Sequence, residues 1–206
     1  MRRVLLRLAL VTLLAWPLGL GGCLGKGTVE PTRFYLLDSL PMPGSATSDA
    51  PSIGVGPVNL PEYIDRPQIV TRSPGNEIRL ADFARWGAPL KDLVPRVLAE
   101  NLAALLGTEK VAVFPWRTAD AVDYQVVVDI IRFDADDAGN VVLSARWSVL
   151  RKGDKEALRS KRSEYSERAA AAGYDGLAGA ESRALQNLSR EIASVIQGEA
   201  RKGEGR

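Results

Sequence analysis

Alternation of apolar and polar residues is clearest in the second half of the chain. Within residues 141–150 every second residue is apolar, which gives a strand one wholly apolar face. Two further runs of strand composition, residues 124–133 and 157–167, flank this segment across polar turns at Gly139 and Gly153. The pattern predicts a C-terminal meander of antiparallel strands, and its apolar face needs a cover.

Two amphipathic helices are predicted to supply that cover. Apolar residues recur at helical spacing in residues 90–106 and again in residues 174–198. Gly107 is a suitable C-terminal stop for the first helix. Pro95 leaves the start of that helix open: either regular helix begins near Asp92 with Pro95 in its first turn, or an earlier turn is kinked at the proline.

Shorter apolar runs predict the remaining strands. They are expected at residues 33–37, 52–58, 68–71 and 77–80, and at residues 110–114 after the first helix. Together the elements predict an α+β fold with two layers. A mixed or antiparallel β-sheet that ends in the meander is covered by two main amphipathic helices.

The N-terminus has the organisation of a lipoprotein export signal. A basic start precedes an apolar run at residues 4–20, which is short for a bilayer span, and Gly21, Gly22 and Cys23 follow. Cleavage before Cys23 would leave a thiol that can carry diacylglyceryl and N-acyl chains, and two or more chains anchor a protein stably. The alternative is a stray thiol after an ordinary secretory signal or a membrane-anchor helix.

Lipidation would divide the chain into four parts. We expect a signal peptide at residues 1–22, the lipidated cysteine and a flexible tether at 23–31, one α+β domain at 32–198 and a frayed tail at 199–206. Leu24 occupies the position where aspartate is associated with inner-membrane retention in enteric-type Gram-negative bacteria. The leucine therefore favours the periplasmic face of the outer membrane.

Composition removes several chemistries. The chain has no histidine and one cysteine, so imidazole-dependent triads, thiolate metal sites and internal disulfides are absent. Loss of the three arginines in the signal would change the formal net charge from +2 to −1, and no Lys/Arg run suggests nucleic-acid binding. We expect no enzyme activity, no catalytic residue, no metal and no cofactor besides the acyl chains on Cys23.

One acidic segment resembles the front of a calcium-binding loop. Asp134, Asp136 and Asp137 are spaced as in such a loop, but Ala138 and Ala145 stand at its fifth and twelfth positions and predicted strands flank it. A solvated hairpin is the favoured interpretation.

Two other motifs also have simple explanations. Gly54 and Gly56 lack a phosphate-binding lysine and precede a proline-broken loop, so a strand that passes close to neighbouring backbone explains them better than a nucleotide site. Glu62 and Asp65 have no identifiable partner base or nucleophile, which disfavours acid/base catalysis.

Two connecting segments are candidates for contacts with a partner or with further copies of the chain. Prolines fix the backbone of the first segment in advance, so little ordering cost would remain on binding. An exposed Arg-Trp pair in the second would suit an interface, although the tryptophan could instead plug one end of the core. The candidate residues are Leu60, Pro61, Tyr63, Arg66, Pro67, Arg85 and Trp86.

These segments carry a resemblance that covers nearly the whole chain after the signal. The stretches that carry it are residues 34–37, Gly54-Val55-Gly56-Pro57-Val58, residues 60–72, Arg85-Trp86, Leu98-Ala99-Glu100-Asn101-Leu102 and the helix with Leu185, Ser189, Ile192 and Ile196. In these stretches the sequence resembles the PqiC/YmbA family of ABC-type transport auxiliary lipoproteins. The lipoprotein signal agrees with the resemblance independently.

The resemblance implies a role in the cell envelope. Family members act beside MCE-domain proteins, which form periplasmic tunnels for lipids, and with integral membrane or ABC-transporter components. The lipoprotein is expected to hold the outer-membrane end of the tunnel, where a ring-like homo-oligomer is plausible by family analogy. The alternatives are a lipid- or solute-binding carrier lipoprotein of the periplasm and a structural envelope lipoprotein without a transport partner.

Overall fold

The structure, a computed structural model, describes residues 30–42, 50–116, 122–154 and 156–204. The signal peptide, Cys23 and most of the predicted tether lie outside these ranges. The strands are β1 (Arg33–Tyr35), β2 (Ile53–Asn59), β3 (Gln68–Arg72), β4 (Ile78–Trp86), β5 (Val111–Val113), β6 (Tyr124–Asp136), β7 (Asn140–Arg151) and β8 (Ala157–Arg168), and the helices are α1 (Leu90–Leu106) and α2 (Tyr174–Glu204).

All eight strands belong to one mixed sheet. β6, β7 and β8 form the predicted antiparallel meander, and β7 pairs along nearly the whole length of β6. On the other edge of β6, β2 pairs in parallel with its first half and β3 pairs in parallel with its end. β4 and then β1 extend the sheet beyond β3, and β5 extends it beyond β2.

The core forms between this sheet and the two helices, as the apolar pattern predicts. Alternate residues of β7, from Val141 to Val149, have exposures of 1% or less. The apolar stripe of α2, from Leu177 to Ile196, has exposures of 8% or less. α2 packs against β7 and β8, whereas α1 packs against β2, β5 and α2. The two-layer α+β class is therefore confirmed.

A buried amide ties the helices to the segment after β1. The Asn101 side chain of α1 accepts a hydrogen bond from the Leu40 backbone N–H at 2.7 Å and donates to Ser189 Oγ of α2 at 3.3 Å. The Asp38 N–H donates to Ser182 Oγ, also on α2, at 3.0 Å. These bonds satisfy polar groups that would otherwise be costly to bury.

Helix α1 begins at Leu90, as its apolar spacing predicts, and not near Asp92, so Pro95 lies beyond its first turn, and Gly107 closes it in the left-handed conformation with φ 62°. The ends of β1 and α2 differ from expectation. Strand β1 ends at Tyr35. Helix α2 continues to Glu204, where a frayed tail was expected, because Glu199 interacts with Arg151 of β7 and so connects the last turns to the sheet.

Residues from Thr32 onward form one compact unit. Within the described ranges, no helix is both long enough and apolar enough to cross a membrane.

Candidate docking site

The two segments predicted as an interface lie side by side. Gln68, the first residue of β3, pairs with Arg85 near the end of β4. The Trp86 backbone N–H donates a hydrogen bond to the Pro67 carbonyl oxygen at 2.7 Å. The proline-bounded loop of residues 60–67 therefore runs into the same corner of the sheet as the Arg-Trp pair.

The Arg-Trp pair belongs to a strand and not to a connection. β4 was expected to end near Leu80, but it continues through Trp86 because β1 pairs with its second half. Side chains alternate across a strand, so Arg85 is exposed whereas Trp86 faces the core and is 5% exposed. Of the two interpretations, the structure favours a tryptophan that plugs the core, and only Arg85 of the pair offers its side chain to a partner.

The loop itself is also partly a core element. Leu60 and Tyr63 are half-buried and pack against the hydrophobic core, and Ile64, which was not singled out as a site residue, is almost completely buried. Pro61 is half-buried as well, whereas Pro67 is exposed. The loop is thus held from within by its apolar side chains.

A buried carboxylate fixes the loop to the sheet. Tyr63 donates its hydroxyl hydrogen to Asp134 Oδ2 at 2.6 Å. The Asp134 carboxylate, which is fully buried, also accepts hydrogen bonds from Arg72 at 2.9 Å and from Arg132 at 2.8 Å. The Arg72 guanidinium also lies 5.5 Å from the centre of the Tyr63 ring. We call these four residues the Asp134 network.

Ionisation of the network follows from its hydrogen bonds. Burial opposes the charge on Asp134, but the hydrogen bonds from Arg72, Tyr63 and Arg132 outweigh it and hold the pKa of the carboxyl below its ordinary value. Burial and the hydrogen bond to Asp134 raise the pKa of Tyr63 to about 12, so its hydroxyl remains a proton donor. Tyr63 is consequently a positioning residue for the loop, and its hydroxyl is already occupied.

An open cleft lies on the outer side of the loop. Its volume is about 400 Å³. We call it the docking cleft, and it is lined by Asp65, Arg66, Pro67, Trp86, Gly87, Ala88, Pro89 and Lys91. It thus unites three of the predicted interface residues, Arg66, Pro67 and Trp86, with the first turn of α1.

Arg66 is the chemically unsatisfied group of this cleft. Its Nε is buried and has no hydrogen-bond partner among the described residues. An N–H left without an acceptor costs about 1–3 kcal/mol, and more when it carries charge. Asp65, its neighbour, is directed instead toward the N-terminus of α1, where its Oδ1 lies 3.4 Å from the Lys91 backbone N. The Arg66 side chain is partly exposed where it lines the docking cleft, so its guanidinium can donate hydrogen bonds to a carboxylate or phosphate ligand there.

The acidic hairpin forms a hydrogen-bonded turn. Asp136 Oδ1 accepts hydrogen bonds from the backbone N–H groups of Ala138 at 2.9 Å and Asn140 at 2.8 Å. These bonds stabilise the turn between β6 and β7. The side-chain amide of Asn140 donates to Asp136 Oδ2 at 2.9 Å, and this bond together with the two backbone bonds lowers the pKa of Asp136. Among the residues that the structure describes, no three His, Cys, Asp or Glu side chains are grouped to hold a metal ion.

The glycines of β2 make room for side chains. A Cβ atom on Gly54 would lie 2.9 Å from the Trp116 ring, and one on Gly56 would lie 2.6 Å from Phe114 Cβ. The two aromatic rings pack edge to face with their centres 5.4 Å apart. We expected close approach to neighbouring backbone, but the neighbours are the side chains of the segment that follows β5.

Glu181 is a second unsatisfied group, which the sequence analysis did not single out. It lies on the buried face of α2, and its Oε2 has no hydrogen-bond partner among the described residues. Burial, together with the negative charge of Asp134, raises the pKa of this carboxyl well above its ordinary value. The signal was present in the sequence, because Glu181 stands four residues from both Leu177 and Leu185 and helical spacing therefore places it on the apolar face.

The fold and the cleft define an α+β protein whose candidate site is an open surface cleft between a proline-bounded loop and a helix N-terminus. The chain belongs to the family of ABC-type transport auxiliary lipoprotein components, whose sequence model matches residues 35–193. This match confirms the family resemblance of the sequence. It makes the chain a lipoprotein component of a transport system in the cell envelope, and the family is not a known enzyme family.

Solved structures share the fold. Protein XCC0632 from Xanthomonas campestris, a DUF330 protein, superposes with a TM-score of 0.65 at 18% identity, over 84% of this chain and 99% of that one. The crystal structure of an uncharacterized protein superposes with a TM-score of 0.66 at 20% identity, over 81% of this chain and 99% of that one. No curated protein matches the sequence. At these identities the likeness shows a common fold.

Proposed function

We propose that the chain is an outer-membrane-anchored auxiliary lipoprotein of an MCE-type intermembrane lipid transport system. Acyl chains on Cys23 would hold it at the periplasmic face of the membrane, and Leu24 after the cysteine favours the outer membrane over the inner. The folded domain would bind the end of the periplasmic tunnel, with integral membrane or ABC-transporter components at the other end. The family membership supports the transport role, and the partner is inferred from the resemblance.

The docking cleft is the observation that carries this proposal. The Arg66 side chain is partly exposed in the cleft, and Pro67 and Pro89 hold the two sides of the cleft in a fixed backbone geometry. A partner that places an acidic side chain there would pair with the guanidinium at little ordering cost. Tethering to one membrane would raise the effective concentration of the tunnel end at that membrane.

Arg85 lies beside the cleft. Its side chain is exposed and makes no ion pair or hydrogen bond with the described residues, so it is available for a further contact. Several copies of the chain arranged around one tunnel end would multiply such contacts, and a homo-oligomer is part of this proposal. Mass photometry of the detergent-solubilised protein would measure the number of copies.

A carrier function is less well supported. A second cleft, of about 740 Å³, is open, and its lining combines small apolar residues, among them residues 169–172, with the charged side chains of Arg79, Asp82, Asp136, Asp137 and Arg168. A lipid carrier is expected to enclose its cargo in an apolar cavity, to which an open cleft with five charged side chains is poorly suited. Co-purified lipid in the mature protein would nevertheless favour this alternative over docking.

Co-purification of the acylated protein with its MCE partner tests the proposal. Replacing Arg66 by glutamine should lower the recovery of the partner roughly tenfold, because a charge-assisted hydrogen bond contributes about 1.5 kcal/mol or more. Arg96→Gln is a matched control, because Arg96 is exposed on α1 with only a long 3.9 Å contact to Glu100. Equal recovery of the partner with both variants would contradict docking at the cleft.

Recovery of the protein in the inner-membrane fraction of a density gradient would contradict the outer-membrane anchor.

A further inference from the structure

An exposed apolar patch lies on the outer face of β1 and β4. Phe34 of β1 is paired with Arg85 of β4, and Tyr35 is paired with Trp86. Since side chains alternate across a strand, Tyr35 and Trp86 enter the core whereas Phe34 and Arg85 face outward. We call Phe34, Leu36, Phe83 and Arg85 the β1–β4 patch; its three apolar members are 68%, 54% and 43% exposed.

The patch combines bulky apolar side chains with an unpaired cation. Arg33 of β1 forms an ion pair with Asp175 at 2.9 Å, whereas no ion pair is formed by Arg85 of β4 in the part of the chain that the structure describes. Asp82, the acidic neighbour of Phe83, lines the separate cleft that contains Asp136. Phenylalanine and leucine beside an arginine suit the boundary between lipid headgroups and acyl chains.

The chain enters the folded unit at this patch. Thr32 begins the compact unit, and Phe34 follows Cys23 by 11 residues. An extended chain spans at most about 3.5 Å per residue, so acyl chains on Cys23 would keep Phe34 within roughly 40 Å of the bilayer. A short tether of this kind holds the patch at a high effective concentration next to the membrane, so that a weak interaction is enough to occupy it.

We propose that the β1–β4 patch docks on the phospholipid bilayer, with Phe34, Leu36 and Phe83 at the headgroup boundary and Arg85 on lipid phosphates. The inference rests on the lipid anchor of the proposed function but not on the tunnel. Docking would fix the orientation of the domain on its membrane. Because Trp86 and Gly87 connect the patch to the docking cleft, the cleft would then open close to the membrane surface.

Site-specific fluorescence on the full acylated chain tests this orientation. The protein has one cysteine, and acylation blocks its thiol, so a cysteine introduced elsewhere is the single labelling site. Phe83→Cys carries an environment-sensitive label in the patch. Phe114→Cys is the matched control, since Phe114 is 50% exposed and follows β5 at the opposite end of the sheet.

Both labelled proteins are reconstituted in vesicles of phosphatidylethanolamine and phosphatidylglycerol with brominated acyl chains. An apolar face at the headgroup boundary lies about 5–10 Å deep, so we expect strong quenching of the label at position 83 and little quenching at position 114. Adding Phe34→Ser and Leu36→Ser to the Phe83→Cys protein should reduce the quenching at least twofold. Circular dichroism verifies that each variant is folded.

Three outcomes would overturn the inference. Equal quenching at the two positions, or no quenching at position 83, would show that the patch does not face the lipid. Shielding of position 83 only after the MCE partner is added would assign the patch to a protein contact. An unmodified Cys23 in mass spectrometry of the starting protein would overturn the anchor itself, and with it both this inference and the outer-membrane part of the proposed function.

Discussion

Arginines stand near both ends of β3, and their surroundings differ. Arg72, the last residue of the strand, donates to the buried carboxylate of Asp134, which also binds Tyr63 and Arg132. Arg66, which precedes the strand, has a buried Nε without a partner in the described structure and borders the docking cleft. Arg72 helps to fix the loop, whereas Arg66 is available to a ligand. Residues that hold the structure of the site are therefore distinct from a residue that can bind a ligand there.

The largest effect on stability is expected from removing the Asp134 carboxylate, which Arg72 binds. Asp134→Asn removes the carboxylate that two guanidinium groups share. Loss of one partner of a buried ion pair costs 3–5 kcal/mol in general, and we expect about 3 kcal/mol because both arginines are about one-third exposed. Urea unfolding of the parent and the variant would measure the loss.

The pH dependence of that loss adds a second check. Since the pKa of Asp134 in the folded protein lies below its ordinary value of 3.8, its stabilisation is present above pH 3.8 and disappears as the pH falls through the folded-state pKa. The parent and the variant should therefore converge in stability in strong acid. Glu100→Gln serves as the control, because an exposed carboxylate at 3.9 Å from Arg96 contributes less than about 0.5 kcal/mol. A loss below about 1 kcal/mol for Asp134→Asn would contradict a structural role.

A smaller loss of stability is expected from a substitution of Tyr63, the loop residue of the Asp134 network. Tyr63→Phe keeps the ring, including its contact with Arg72, and removes only the hydrogen bond to Asp134. Hydrogen bonds to charged groups contribute about 1.5–3 kcal/mol, and we expect a loss near 1.5 kcal/mol because the ring is half-buried. Tyr174→Phe is the matched control, since the described contact of Tyr174 is a ring contact with Tyr35.

A double-mutant cycle decides whether Tyr63 acts through Asp134. If it does, the cost of Tyr63→Phe should largely vanish in the Asp134→Asn background. Additive losses of stability would instead assign the effect of Tyr63 to packing of the loop.

The sequence predicts the parts of the fold that repeat a local pattern. The alternation of β7 and the apolar stripes of both helices identify the core, and the bounds of α1 agree with those expected from its spacing and Gly107. Strand β4 was predicted too short because Arg79, Asp82 and Arg85 interrupt its apolar pattern. Its length is set by pairing with β1, which is about fifty residues earlier in the chain.

The sequence marked the two segments that border the docking cleft but not the contacts that hold them. Proline content marked the loop, and the Arg-Trp pair marked its neighbour, yet the contact between Tyr63 and Asp134 joins residues 71 positions apart. The local sequence does not indicate which arginine has a buried partner either, since Arg66 and Arg72 each follow a polar residue, Asp65 and Thr71, near the ends of β3. Their different roles arise from long-range pairing, which periodicity does not report.

Glu181, in the core, can be compared with Arg66. Like Arg66 it carries a buried polar atom without a partner among the described residues, but it lies within the apolar stripe of α2 and not beside a cleft. Its pKa is raised by burial, so its contribution to stability is greatest below the ordinary value of 4.5 and is lost as the pH rises through the folded-state pKa. Glu181→Gln should therefore increase the free energy of unfolding by about 1 kcal/mol at neutral pH.

The measurement is the stability of both proteins between pH 4 and pH 8. The gain from Glu181→Gln should be absent at the acid end and should grow toward the alkaline end. Glu109→Gln, at an exposed position, provides a flat reference. A gain that does not change with pH would show that Glu181 is charged in the folded protein over this whole range.

The smallest effect on stability is expected from a substitution of Arg66. Comparing it with the same substitution of Arg72 distinguishes the roles of the two arginines most clearly. Arg66→Met keeps the aliphatic length of the side chain and removes the unpaired Nε, so the free energy of unfolding should stay constant or rise by about 0.5 kcal/mol. Arg72→Met should instead destabilise the fold, because it leaves Asp134 with one guanidinium partner fewer. If retention of the MCE partner falls for Arg66→Met while its stability is preserved, the arginine acts in binding. A loss of stability at Arg66 as large as that at Arg72 would place both residues in the framework of the loop, and the docking cleft would then lack the group on which its proposed role depends.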